Sequence, residues 1–198
     1  MNSDNKSALR KIMRRKRQGL STWQQRRAAQ LLFLKLSTHY TFKNAKRIGF
    51  YIANDGEISP EFLFRYALKK GKKCYLPCID KNNSMHFRQF ISTSALRKNK
   101  FGIPEPTATS PIINAQKLDL VFTPLVAWSI SGKRLGMGGG YYDRCFAFKR
   151  QLGKRKPIMI GVAHHCQKAD AIDTDAWDIP MDMIASDKTL VKTHHYSG

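Results

Sequence analysis

Acidic residues are scarce in this chain: 14 Asp and Glu stand against 35 Lys and Arg, a formal net charge of +21 at neutral pH. Such a field draws in anions, but nucleic acid, acidic membrane, nucleotides and polycarboxylates all answer to it. Long apolar runs are missing too. No stretch approaches the length needed to cross a bilayer, and the amino-terminal MNSDNKSALRKIM lacks the apolar centre of a secretory signal. Cysteines are few, and Cys74, Cys78, Cys145 and Cys166 lack the close repeated spacing of a zinc site or of a secreted disulfide framework. Reduced thiols in a cytoplasmic protein are therefore expected. There is no internal repeat and no low-complexity segment. What is present is 198 residues, 42% of them hydrophobic, enough for one good core and short for two, so a single domain over 1–198 is expected.

Helix and strand patterns alternate along the chain. Residues 6–20 suit an amphipathic helix: Lys6, Arg10, Arg14 and Arg17 stack as a cationic stripe, while Leu9, Met13 and Leu20 supply another face. Ser21 three residues before Gln24 is a capping-box pattern that opens a second helix through the apolar segment 31–36. Residues 47–53 read as a buried strand that Asn54-Asp55-Gly56 breaks. Ser59-Pro60-Glu61 starts a helix and Lys69-Lys70-Gly71 stops it. Residues 74–79, 85–90, 118–126 and 157–163 read as strands, and 181–185 as a short one. Residues 101–115 form an ordered, Pro- and Thr-rich connection, 141–152 a helix, and 194–198 a frayed end. The alternation is that of an α/β fold.

The stretch RLGMGGGYYD, 134–143, sets four glycines between an arginine and two tyrosines followed by a carboxylate. Backbone N–H groups freed of side chains curl around phosphates, and the amino end of a following helix adds a favourable dipole. A plain tight turn also explains glycines. A Walker loop does not fit, since Gly132-Lys133 runs into Arg134, and the dinucleotide fingerprint does not fit a stretch set off from its strand by 128–133. Arg134 offers a fork of donors to phosphate oxygens and Asp143 a carboxylate to Mg²⁺. Tyr141 and Tyr142 offer a flat apolar wall with a polar tip, or else ordinary packing of a helix start.

Five stretches in order carry a resemblance: KSALR at 6–10, NDGEIS at 54–59, FGIPEP at 101–106, PLVAW with SGKRLGMGGGYYDR between 124 and 144, and WDIPMD at 177–182. Over nearly its whole length the chain resembles the bacterial type of the 5-formyltetrahydrofolate cyclo-ligase (methenyltetrahydrofolate synthetase) family. The resemblance implies that Lys6 and Arg10, with Ser7, Ala8 and Leu9 between them, meet the phosphates of ATP. It implies that Arg134, Leu135, Gly136, Met137, Gly138, Gly139, Gly140, Tyr141 and Tyr142 surround the nucleotide, with Met137 to Tyr141 also bordering the folate, and that Arg134 and Tyr141 are catalytic. Glu57 aligns with the family's folate-recognising glutamate and Ile52 with its apolar neighbour; a carboxylate accepts from a pterin's N–H groups, although Glu57 also reads as a helix-start acid. Asp143 and Asp178 match magnesium-associated acids, with Asp173, Asp175 and Asp182 close enough to be confused with Asp178. Arg14 and Arg17 lie beyond the match and read as a solvated face. Where many relatives carry an acidic pair, this chain has Trp128-Ser129, so a loop charge is missing. His164, His165, Cys145 and Cys166 receive no role.

The fold implied is a three-layer α/β/α sandwich around a largely parallel mixed sheet, related to sugar-phosphate isomerase and CoA-transferase folds, with ligands over the strand carboxyl ends. The implied reaction turns 5-formyltetrahydrofolate and ATP into 5,10-methenyltetrahydrofolate, ADP and phosphate. Its partners are the folate, with or without a polyglutamate tail, and Mg-ATP, acting on a cytoplasmic monomer without nucleic acid or membrane. The rivals are a nucleic-acid-binding protein, suggested by RRKRQ and KKGKK, and a sugar-phosphate or acyl-transfer enzyme of the same fold without ATP chemistry.

Overall fold

The computed structural model describes residues 3–80, 82–91, 93–151 and 156–193. In chain order the elements are α1 (Ser3–Gln18), α2 (Thr22–Ser37), α3 (Tyr40–Asn44), β1 (Arg47–Gly49), α4 (Glu61–Lys69), β2 (Lys73–Ile79) and β3 (Met85–Phe90). There follow β4 (Leu96–Lys98), β5 (Pro104–Pro106), β6 (Ile112–Ile113), β7 (Leu120–Pro124), β8 (Ala127–Trp128), β9 (Arg134–Leu135), α5 (Tyr141–Cys145), β10 (Ile158–Val162), β11 (Met183–Ala185) and β12 (Leu190–Lys192).

Eight strands form one sheet in the order β12-β11-β10-β7-β1-β2-β3-β6. From β11 to β2 they run parallel, and β12, β3 and β6 run antiparallel to their neighbours at the margins. The sheet is thus mixed and largely parallel, as expected. Central strands are covered on both faces, which is why they read as continuous apolar runs. On β7, Leu120 and Phe122 enter one core and Val121 the other; Ile160, Val162 and Met159 divide the same way on β10. Leu32, Leu36 and Leu63 of α2 and α4 close the first face, and Phe146, just after α5, packs into the second.

α1 covers neither face. Leu9 and Met13 pack instead on Val126, Ala127 and Leu135, beyond the carboxyl end of β7. Among the described residues no helix is long and apolar enough to cross a membrane.

Local signals are realised as atoms. Ser21 Oγ accepts from the Gln24 N–H at 3.2 Å while the Gln24 side chain accepts from the Ser21 N–H at 2.8 Å. Ser59 Oγ accepts from the Glu61 N–H at 3.2 Å, and Gly71, at φ 69°, ends the helix. Other expectations shorten. The strand expected over 47–53 leaves the ladder after Gly49, with one further bond from the Phe50 N–H to the Tyr75 carbonyl at 2.8 Å. Tyr51 then turns its hydroxyl onto the Ile58 carbonyl. The helix expected over 141–152 stops at Cys145, because Phe146 swings into the core with its ring 5.9 Å from those of Phe87 and Phe148, and a 3-10 turn follows at Ala147–Arg150. Leu152 and the expected frayed end at 194–198 lie outside the described residues.

Candidate active site

A cleft of about 480 Å³ opens over the carboxyl ends of β1, β2 and β7, where Ile52, Ile79 and Pro124 reach its walls. α1 forms one side and the glycine stretch another. Arg10 Nε donates to the Gly136 carbonyl at 2.9 Å, and Lys6 Nζ sits 2.7 Å from Asp175 Oδ2; all four residues line the cleft. Ser7 and Ala8 are exposed and Leu9 packs inward with Met13, so the structure does not bring these three into the cleft.

The glycine stretch begins in the β8–β9 hairpin. Arg134 is buried, its Nε and Nη2 donating to the Ile179 carbonyl at 3.1 and 2.9 Å. Nη2 also donates to Asp143 Oδ1, which in turn accepts from the Ile179 N–H at 3.0 Å. The pair thereby staples the WDIPMD segment to the loop. Arg134 Nη1 is left beside Gly136. Leu135 packs with Met13, whereas Met137 is half-exposed over the cleft. Gly138 has φ 96° and lies against the Arg10 guanidinium, and a Cβ on Gly139 would stand 2.7 Å from the Tyr141 ring. Gly136 differs. The nearest atom to a Cβ there is Arg134 Nη1 at 3.8 Å, so no protein neighbour requires a glycine at that place. Gly140 starts α5. Tyr141 meets Phe101 edge-on at 6.2 Å across the cleft, and Tyr142 both lines the cleft and stacks on Phe146 at 6.4 Å.

The third wall is the turn after β1. Asp55 and Gly56 have positive φ, 52° and 75°. Asp55 Oδ2 accepts from Arg14 Nε at 2.7 Å and Arg17 Nη2 at 2.8 Å, its carbonyl accepts from Arg17 Nε at 2.8 Å, and Oδ1 accepts from the Gln18 amide. The expectation of a solvated Arg17 is therefore corrected: the Asp55 turn folds over it and leaves its side chain 0% exposed, while Arg14 stays partly in solvent. Glu57 follows in the same turn. Its Oε2 accepts from the Asn54 N–H at 3.1 Å and its Oε1 lies 3.9 Å from Arg17 Nη2. Burial pushes the Glu57 carboxyl up to about 7 against the pull of Arg17, whereas Arg14 leads in holding Asp55 down at about 2. α4 begins at Glu61, so Glu57 is not that helix's first-turn acid.

Asp143 and Asp178 both line the cleft. Asp178 Oδ2 accepts from the Asp175 N–H at 2.9 Å; Asp175 reaches the cleft too, whereas Asp182 turns to Lys149 and the Met159 N–H. Among the described residues no group of three or more His, Cys, Asp or Glu could form a protein-only metal cage. Mg²⁺ ordinarily takes one or two carboxylates and completes its shell with water and phosphate oxygens, and the carboxylates here fit that use. Trp128 and Ser129 are buried, Trp128 Nε1 donating to the His164 carbonyl at 3.2 Å, so the position without an acid belongs to the core. His164, His165 and Cys166 do not line the cleft.

The model of the 5-formyltetrahydrofolate cyclo-ligase family matches residues 2–187. A Haemophilus influenzae protein named 5-formyltetrahydrofolate cyclo-ligase is 32% identical over 184 residues, 91% of this chain and 97% of that one. The solved structure of the Aquifex aeolicus 5,10-methenyltetrahydrofolate synthetase matches with a TM-score of 0.81 at 33% identity, covering 97% of this chain and 98% of that one. The corresponding Mycoplasma pneumoniae structure gives 0.73 at 26%, covering 94% and 99%. The family model spans every segment that walls the cleft, and the chain belongs to the 5-formyltetrahydrofolate cyclo-ligase family.

Proposed function

We propose that this cleft cyclises 5-formyltetrahydrofolate to 5,10-methenyltetrahydrofolate with ATP as co-substrate, releasing ADP and phosphate. A formamide oxygen is a poor leaving group. Its attack on the γ-phosphorus forms an O–P bond as the bond to ADP breaks, giving an iminium phosphate at N5. The N10 amine then attacks the formyl carbon and loses its proton, and the C–O bond breaks to release phosphate. Phosphoryl transfer of this kind asks a protein for placement and charge balance more than for a nucleophile.

Lys6, Arg10, Arg134 Nη1 and the backbone N–H groups from Gly136 to Gly140 are suited to the phosphates. Glu57, with Ile52 and Tyr141 lining the same cleft, is suited to the pterin. Asp143 and Asp178 would hold Mg²⁺, which supplies neutralisation of phosphate oxygens when bound. Arg134, kept in place by Asp143 and Ile179, offers fixed positive charge to the transferred group, and Tyr141 stands where folate and nucleotide meet. The assignment goes with a cytoplasmic monomer, in keeping with free thiols at all four cysteines.

One observation carries the reading: the Arg10–Gly136 hydrogen bond draws two cationic segments over the cleft that Glu57 also lines. Incubation with 5-formyltetrahydrofolate, with and without Mg-ATP, tests it through the near-ultraviolet absorbance of the methenyl product. Product formed at the same rate without ATP, or none with it, refutes the reading.

A further inference from the structure

Two side-chain atoms on residues that line the cleft are buried and, among the described residues, have no hydrogen-bond partner: Arg17 Nη1 and Thr123 Oγ1. A buried donor of this kind is costly unless a ligand or water supplies an acceptor. Arg17 is the more informative of the two. Its Nε and Nη2 are committed to Asp55, and its side chain has no exposed surface. Nη2 also lies 3.9 Å from Glu57 Oε1, and Met137 Sδ of the glycine loop lies at the same distance. The cleft wall therefore holds a carboxylate with a guanidinium beside it, just beneath the surface.

That pair matches one particular edge of a heterocycle. A 2-amino-4-oxopteridine carries, in sequence, an amino donor, the N3–H donor and the 4-oxo acceptor. A carboxylate takes the two donors. The acceptor then falls on the side of the neighbouring cation.

We propose that Arg17 is a specificity-determining residue of the folate site, donating from Nη1 to the 4-oxo oxygen while Glu57 accepts from N3 and the 2-amino group. The proposal rests on the folate reading of the cleft. It gives Arg17 a second duty besides holding the Asp55 turn, and it makes a 4-amino substituent, two donors facing a cation, the wrong group for this site.

The test measures calorimetric binding of 5-formyltetrahydrofolate and of its 4-amino-4-deoxy analogue to the wild type, R17K and R17M at pH 8. The wild type should prefer the 4-oxo ligand at least ~10-fold, since a site built to hydrogen-bond one group rejects its mismatch. R17M should narrow that preference, with the 4-oxo ligand weakened ~10-fold or more and the analogue changed less than ~3-fold, the remainder belonging to Glu57, which meets an N3 without hydrogen in the 4-amino compound; R17K should fall between. Equal weakening of both ligands in R17M would mean that Arg17 only supports the turn, and would overturn the proposal. So would a wild type indifferent to the 4-substituent, a comparison that decides the matter even if R17M does not fold. A wild type that binds neither compound strikes the folate reading itself, so the two failures are distinct.

Discussion

Arg10 and Gly136, 126 positions apart, are joined by a 2.9 Å hydrogen bond from the guanidinium Nε to the backbone carbonyl. The bond closes the cleft between α1 and the glycine loop, and the same guanidinium lies against Gly138. Arg10→Ala should raise the KM for ATP about tenfold or more through loss of a charge-assisted contact. Unfolding free energy should move by no more than ~1 kcal/mol, because a single partly exposed hydrogen bond is lost. Arg10→Lys should recover only part of the affinity, since an ammonium cannot reproduce the fork. Initial rates across ATP concentrations, beside a denaturant titration, check both.

Gly136 and Gly138 should part company. A methyl group on Gly136 meets nothing closer than 3.8 Å and needs no unusual backbone, so Gly136→Ala should leave the melting temperature unchanged while obstructing the ligand. Gly138→Ala forces an L-residue to φ 96° and should cost roughly 1–2 kcal/mol of stability. Thermal melts together with ATP binding for the two variants distinguish a glycine kept for a ligand from one kept for the backbone.

Asp143→Ala removes the partner of a buried arginine. With Arg134 only 6% exposed, the stranded charge should cost about 3 kcal/mol, whereas Asp143→Asn keeps an acceptor and should cost ~1 kcal/mol. Turnover should fall ~100-fold or more in both. In Asp143→Asn the Mg²⁺ concentration for half-maximal rate should also rise, as a metal titration of the folded variant would report.

Glu57 sets a pH dependence of opposite sign for stability and binding. Its folded value of about 7 lies above its ordinary 4.5, so the folded state holds the extra proton between them. No penalty exists below about 4.5; as pH rises through 7 the buried carboxylate ionises and stability falls, by up to ~3 kcal/mol. Glu57→Gln should abolish that decline and be more stable than the wild type at pH 8. Folate binding by the wild type should instead weaken about tenfold for each pH unit below 7, as the acceptor is protonated, and Glu57→Gln should bind weakly at every pH. Asp55 works the other way: held at about 2, it contributes stability above its ordinary 3.8 that is lost as pH falls toward 2. Melts from pH 2 to 9 and binding isotherms from pH 4 to 9 test these slopes.

Short-range signals were readable in the chain because their partners are near in sequence. Ser21 and Gln24 find each other three residues apart, and Ser59 Oγ accepts from the Glu61 N–H two residues on. The glycine stretch is legible as an irregular loop flanked by Arg134 and Asp143, and it does wall the cleft. Helical spacing alone places Arg17 on the solvated stripe of Lys6, Arg10 and Arg14, and the structure buries it. Its burial depends on Asp55, 38 positions away, and on a turn with positive φ at a non-glycine residue. The buried Met13 one turn before it was the available hint. Two-residue strands such as β8 and β9, and the edge strand β12, carry too few residues for a period to show.

Because α1 leans on the β8–β9 hairpin and the Asp55 turn and leaves both faces of the sheet to other elements, it behaves as a detachable jamb rather than a beam. Nicking the chain near Leu20 would spare both cores and yet unhang one side of the doorway through which substrates enter. Catalytic competence in this architecture is therefore the more perishable property, and an intact melting curve is no certificate of a working enzyme.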